Sequence, residues 1–147
     1  MTDSILEHHE FPILGKGYFL GGRASTAIKR VLADAGVEAD VIERASVACY
    51  EAEMNVVLHA RAGVIELNIY KDRIYICLTD QGPGIENIPL AMTRGWSTAS
   101  PEARGLGFGA GMGLSNIKDH VDEMTLESEP GKGVCLTFII YRGGGKV

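Results

Sequence analysis

The residues best equipped for chemistry fall into three groups. Glu51, Asn55 and His59 recur at intervals of four inside the apolar run from Val47 to Ala60. Four residues advance an α-helix by slightly more than one turn, so these three line one stripe. A solvated surface stripe is the plainer reading of that pattern. Glu and Asn are seldom buried without partners, however, and side by side they offer a carboxylate base and a neutral oxygen ligand for a hard cation such as Mg²⁺. The second group is Asp80-Gln81-Gly82-Pro83-Gly84. It reads as a simple turn, or as an Asp accepting a hydrogen bond from an amino group such as that of adenine. In the latter case Gly82 and Gly84 let the backbone approach a flat ring or a phosphate. The third group is Gly105-Leu106-Gly107-Phe108-Gly109-Ala110-Gly111-Met112-Gly113, directly before a helix that starts near Leu114. Glycine at every second position leaves the backbone amides uncovered, and with the helix N-terminus they form an anion seat. The alternative is a flexible lid without a ligand. A dinucleotide-binding reading fails on context, because no βαβ unit surrounds the run, and a Walker loop fails for lack of a closing Gly-Lys-Ser/Thr.

The elements that must position these groups follow from periodicity. Residues 5–14 alternate as an edge strand. A helical pattern opens at Gly21-Gly22, places Ala27, Ile28, Val31, Leu32 and Ala35 on one face, and closes at Gly36. Asp40 is the expected cap of a second helix running to about Ala60. Val64–Tyr70 and Arg73–Asp80 alternate as strands and pair as a hairpin across Lys71-Asp72. Residues 81–112 are punctuated by Gly and Pro, with one short helix expected near Pro89–Met92. Leu114–Val121 is helical, and Met124–Ser128 and Val134–Tyr141 are strands joined by a Pro-Gly turn. Arg142 to Val147 read as a frayed tail. The sum is an α+β two-layer sandwich, with a mixed, mostly antiparallel sheet and helices on one face.

Composition excludes several classes. The 147 residues suit one domain, 1–147. Lys plus Arg is 14 and Asp plus Glu is 19, a net charge of −5, so gripping nucleic acid or an anionic membrane is not expected. No run approaches the ~18 apolar residues of a membrane span, and the acidic start does not read as a secretory signal. Cys49, Cys77 and Cys135 are odd in number, widely spaced and set in apolar stretches. They read as three buried free thiols in a reducing cytoplasm. His8-His9-Glu10 lacks further ligands at useful spacing for a metal.

Taken together, Glu51-Ala52-Glu53-Met54-Asn55, Asp80-Gln81-Gly82-Pro83-Gly84 and Gly109-Ala110-Gly111-Met112-Gly113 resemble, in order and separation, the N, G1 and G2 boxes of the GHKL ATPases (gyrase, Hsp90, histidine kinase, MutL). The resemblance covers roughly residues 20–141. Within that family the chain looks most like the small bacterial serine kinases that act as anti-sigma factors or stress switch kinases. It has the length of an ATPase domain alone. Gly95-Trp96-Ser97-Thr98 and Glu127-Ser128-Glu129-Pro130-Gly131-Lys132-Gly133 are also similar to the switch-kinase branch.

The resemblance implies a Bergerat-type ATP-binding fold and Mg²⁺-dependent ATP chemistry. Asn55 would ligate the Mg²⁺ that bridges the phosphates, and Glu51 would be the base or orienting group for the incoming hydroxyl. Asp80 would bind the adenine amino group, with Gly82 and Gly84 shaping the pocket. Gly109, Gly111 and Gly113 would close over the phosphates, flanked by Gly107 and Leu114. Arg104 would contact the γ-phosphate, and His59 is expected to pack rather than to react. Val134 stands where the family often has Thr, so an adenine-side hydroxyl must come from elsewhere, with Thr79 and Thr137 as candidates. The implied activity is a protein-serine/threonine kinase acting on a STAS-domain antagonist. Two alternatives stand beside it: a nucleotide-switched module that binds a sigma factor or other regulator, and a detached histidine-kinase ATPase domain. The resemblance to the anti-sigma type implies a homodimer paired through the first strand and helix; the switch-kinase type does not imply one.

Overall fold

The structure, a computed structural model, describes residues 4–15, 22–81, 113–129 and 133–143. Within them, strand β1 (Glu7–Leu14) precedes helices α1 (Arg23–Asp34) and α2 (Ala39–His59). The hairpin β2 (Ala62–Ile69) and β3 (Arg73–Asp80) follows, then α3 (Gly113–His120), β4 (Glu123–Glu129) and β5 (Gly133–Tyr141). The strands form one sheet of order β1-β2-β3-β5-β4. Every pairing among them is antiparallel, where a mixed sheet was expected. β1 is an edge strand, as its alternation predicts.

Period-two patterning divides the sheet into two faces. Ile65, Leu67 and Ile69 of β2, Ile74, Ile76 and Leu78 of β3, and Leu136, Phe138 and Ile140 of β5 are buried on one side. Ile28 and Leu32 of α1, Ala45 and Val56 of α2, and Ile117 of α3 bury against that side. Helix α2 packs between α1 and α3. The other face of the sheet carries half-buried and polar side chains.

Local signals set the element ends. Gly22 takes φ +95° ahead of α1, and Gly36 takes φ +75° just beyond it, both in the left-handed region that favours glycine. Asp40 is not the cap of α2. It lies in the first turn, and Glu38 holds the N-cap position without a capping side-chain bond. The Glu38 carboxylate is engaged across the fold instead, by Arg142 Nε at 2.9 Å and the Gly143 N–H at 3.2 Å. Arg142 also donates to the Tyr70 carbonyl at 3.0 Å. The first two residues of the expected frayed tail are therefore tied down, because Arg142 finds two acceptors at once. The short helix expected at Pro89–Met92 lies outside the described residues.

Candidate functional site

Helix α2 presents Glu51 and Asn55 toward the N-terminal end of α3. A Cβ built on Gly113 would stand 3.1 Å from Asn55 Oδ1 and 3.5 Å from Glu51 Oε1. A Cβ there would press on Asn55 Oδ1 and meet Glu51 at ordinary contact distance, so the α3 backbone approaches both side chains closely. Asn116, one turn into α3, donates from Nδ2 to Glu51 Oε2 at 3.3 Å. The far end of α3 is pinned by Arg44 of α2, whose Nε donates to the His120 carbonyl at 2.9 Å and whose Nη2 pairs with Asp122 at 3.0 Å. Asp122 in turn accepts the Tyr141 N–H at 2.7 Å. Helix α3 thus stands fixed against α2, and its first turn lies beside a carboxylate and an amide.

The oxygens gathered there suit a hard cation. A neutral amide oxygen beside a carboxylate is the donor chemistry Mg²⁺ accepts when phosphate oxygens complete its shell. Two of the sequence-predicted residues, Asn55 and Glu51, are thus brought together with a third, Gly113, and Leu114 is buried directly behind it.

Asp80 ends β3 on the helix-facing side, 9% exposed. Its Oδ1 accepts the Val134 N–H at 3.0 Å. Gly133 makes this possible: at φ +99° it packs its α-carbon on the Asp80 backbone and carboxylate, where a Cβ would collide. Thr79 and Thr137 do not supply the missing hydroxyl. They alternate with the buried residues of β3 and β5, so both project from the opposite face of the sheet. Val134, partly buried against the core, presents only methyls on the Asp80 side.

Several expectations fall on residues outside those described: Gly82, Gly84, Arg104, Gly107, Gly109 and Gly111. The packing role of His59 falls on a side chain that is likewise not described. Sequence reasoning missed Glu53, which is only 2% exposed. Its carboxylate accepts the N–H groups of Gly22, Ala24 and Ser25 at 3.0, 3.2 and 3.0 Å, so it caps α1 from another helix. Its place in an apolar helix run was the available signal, since a Glu rarely buries unpaired. Asn116 was missed too, although its spacing of three from Gly113 puts it on the same face of α3.

The thiols divide. Cys49 is fully buried, and burial together with the Glu53 charge pushes its pKa far above the ordinary thiol range. Cys77 and Cys135 are not buried as expected; they are half-exposed on the open face of the sheet. All three are free. Among the described residues no group of three or more His, Cys, Asp or Glu side chains is placed to hold a metal ion. No helix there is long and apolar enough to cross a membrane.

Comparison with known proteins gives one family model, the histidine kinase-like ATPase domain, matching residues 22–140. An anti-sigma F factor from Caldanaerobacter subterraneus subsp. tengcongensis is 35% identical over 98 residues, 63% of this chain and 65% of that protein. The chain therefore matches less than two thirds of that relative's length. The serine/threonine-protein kinase RsbT of Bacillus subtilis is 35% identical over 100 residues, 65% of this chain and 69% of the relative. A solved structure, the mycobacterial sensor histidine kinase MprB, superposes with a TM-score of 0.54 over 92% of this chain and 98% of that one. At 16% identity it speaks for the fold alone.

Proposed function

The chain belongs to the histidine kinase-like ATPase family, and on that footing we propose that it is an ATP-dependent protein-serine/threonine kinase acting on a STAS-domain antagonist. The observation that carries this reading is the convergence of Glu51, Asn55 and Gly113 at the start of α3. Similarity to RsbT, named a serine/threonine-protein kinase, supports it.

In this reading Asn55 would hold Mg²⁺, which when bound would offset the charge of the triphosphate. The first turn of α3 and the glycines Gly107, Gly109 and Gly111 direct their N–H groups at the phosphates. Arg104 meets the γ-phosphate, since a guanidinium matches spread phosphoryl charge. Asp80 receives the adenine amino group, with Gly82 and Gly84 beside it and Leu114 lining the pocket. Glu51 accepts the proton of the acceptor hydroxyl as that oxygen bonds to the γ-phosphorus. The bond to the β,γ-bridging oxygen breaks and ADP leaves. The protein contributes positioning and electrostatics rather than covalent chemistry. The reading carries a cytoplasmic setting with it.

The test is incubation with γ-labelled ATP, Mg²⁺ and a purified STAS-domain protein encoded beside this chain. Label is expected on one Ser or Thr of the partner. If calorimetry detects no association of Mg·ATP with the chain at millimolar concentration, the reading fails. The anti-sigma F factor similarity favours a second role, nucleotide-switched binding of a sigma factor or other regulator. Equal partner affinity with ADP and ATP would remove it.

A further inference from the structure

The open face of the sheet holds a pair of thiols that the ATP chemistry does not use. β3 and β5 are neighbours, with Cys77 opposite Thr137 and Thr79 opposite Cys135. Cys77 and Cys135 therefore sit diagonally on the same face, both half-exposed and both free. Thr137 Oγ donates to Cys77 Sγ at 3.6 Å. Each thiol also has a carboxylate at the directly opposed position of its other neighbouring strand: Glu66 of β2 against Cys77, and Glu127 of β4 against Cys135. Two sulfurs in the centre of a four-strand row are flanked by two acids.

These surroundings decide what the pair is suited to. Burial, then the adjacent Cys77, then Glu127 raise the Cys135 pKa, with a hydrogen bond to Thr79 opposing. The Cys77 and Cys135 side chains hydrogen-bond to one another, so the two sulfurs are immediate neighbours across the diagonal. A cation that displaces the thiol protons relieves the same electrostatic penalty that opposes ionisation. Two thiolates are soft ligands. With no third His, Cys, Asp or Glu converging among the described residues, four-coordinate Zn²⁺ is poorly served.

We propose that Cys77 and Cys135 form a two-thiolate site for a soft monovalent cation of the Cu(I) class. On binding, each S–H bond breaks and its proton passes to water. Two sulfur–metal bonds form, and neither sulfur nor metal changes oxidation state. The bridge joins β3 to β5 close to where Asp80 and Gly133 meet, and it does not depend on the kinase reading.

The experiment is anaerobic titration of the full chain with Cu(I) against a chromophoric Cu(I) chelator. Wild type and Cys49→Ala are expected to take up one Cu(I) per chain. Cys77→Ser and Cys135→Ser, conservative changes at half-exposed positions, are each expected to lose at least a hundredfold in affinity. A second measurement needs no variant: Ag(I), an air-stable probe of the same class, should shield both Cys77 and Cys135 of the wild type from alkylation, read by mass spectrometry. Unchanged affinity in either Ser variant overturns the proposal. So does shielding of only one thiol.

Discussion

Glu51 and Glu53 stand two residues apart on α2 and meet opposite fates. Two residues turn a helix by about 200°, so the carboxylates face opposite ways. Glu53 turns toward α1 and is 2% exposed, its two oxygens taking three backbone N–H groups. Glu51 turns toward α3 and stays half-buried; the partner seen among the described residues is Asn116 at 3.3 Å. A carboxylate whose oxygens are saturated by backbone donors is part of the architecture. One held at a single oxygen by a side-chain amide keeps capacity for chemistry. The distinction is between occupied and available lone pairs, and both residue type and helix are the same.

Four experiments bear on that contrast. The largest effect is expected from Glu51→Gln, which should lower phosphoryl transfer to the STAS partner by about 10²–10⁴-fold, the range of a positioned base, while Mg·ATP still binds by calorimetry. A normal transfer rate would remove Glu51 from the chemistry. Glu53→Ala should instead act on stability, by about 3 kcal/mol in denaturant melts, because buried donors of α1 lose their acceptor. If Glu51→Ala destabilises the fold as much as Glu53→Ala, the contrast is wrong. Gly113→Ala should leave the fold within about 1 kcal/mol, since alanine favours the helix. Its methyl would crowd Asn55 Oδ1 at 3.1 Å, and Mg·ATP affinity should fall about tenfold.

The smallest effect concerns a third carboxylate, exposed and structural. Hydrogen bonding to its own backbone N–H, then to Arg142 and Gly143, lowers the Glu38 pKa, with burial opposing. A depressed folded pKa contributes stability above the unfolded value of 4.5 and loses it as pH falls through the lowered folded value. Acid melts of Glu38→Gln should converge with wild type at the low end of that window. A gap that persists at pH 2 would assign the contribution to packing rather than charge.

The elements were legible because each carries a strong local signal. β3 was bounded to the residue, Arg73–Asp80, by its alternation and the turn before it. The stripe of Glu51 and Asn55 followed from spacing alone, and so did the glycine at the head of α3. Glu53 was lost among apolar neighbours because periodicity shows that a residue faces inward but not what it meets there. Asp40 was misread as a cap for a related reason: a good capping residue type does not fix where the first turn starts.

What the sequence determined by itself were the periods, the order of the elements and the residue types set at intervals of four along α2. Those are properties of neighbours along the chain. The tertiary structure alone decided that Cys77 and Cys135 lie diagonally across β3 and β5, that the Val134 N–H meets Asp80, and that Gly113 abuts Asn55. Such contacts join residues more than fifty positions apart. Strand register and helix docking set them, and burial of the whole core fixes both together.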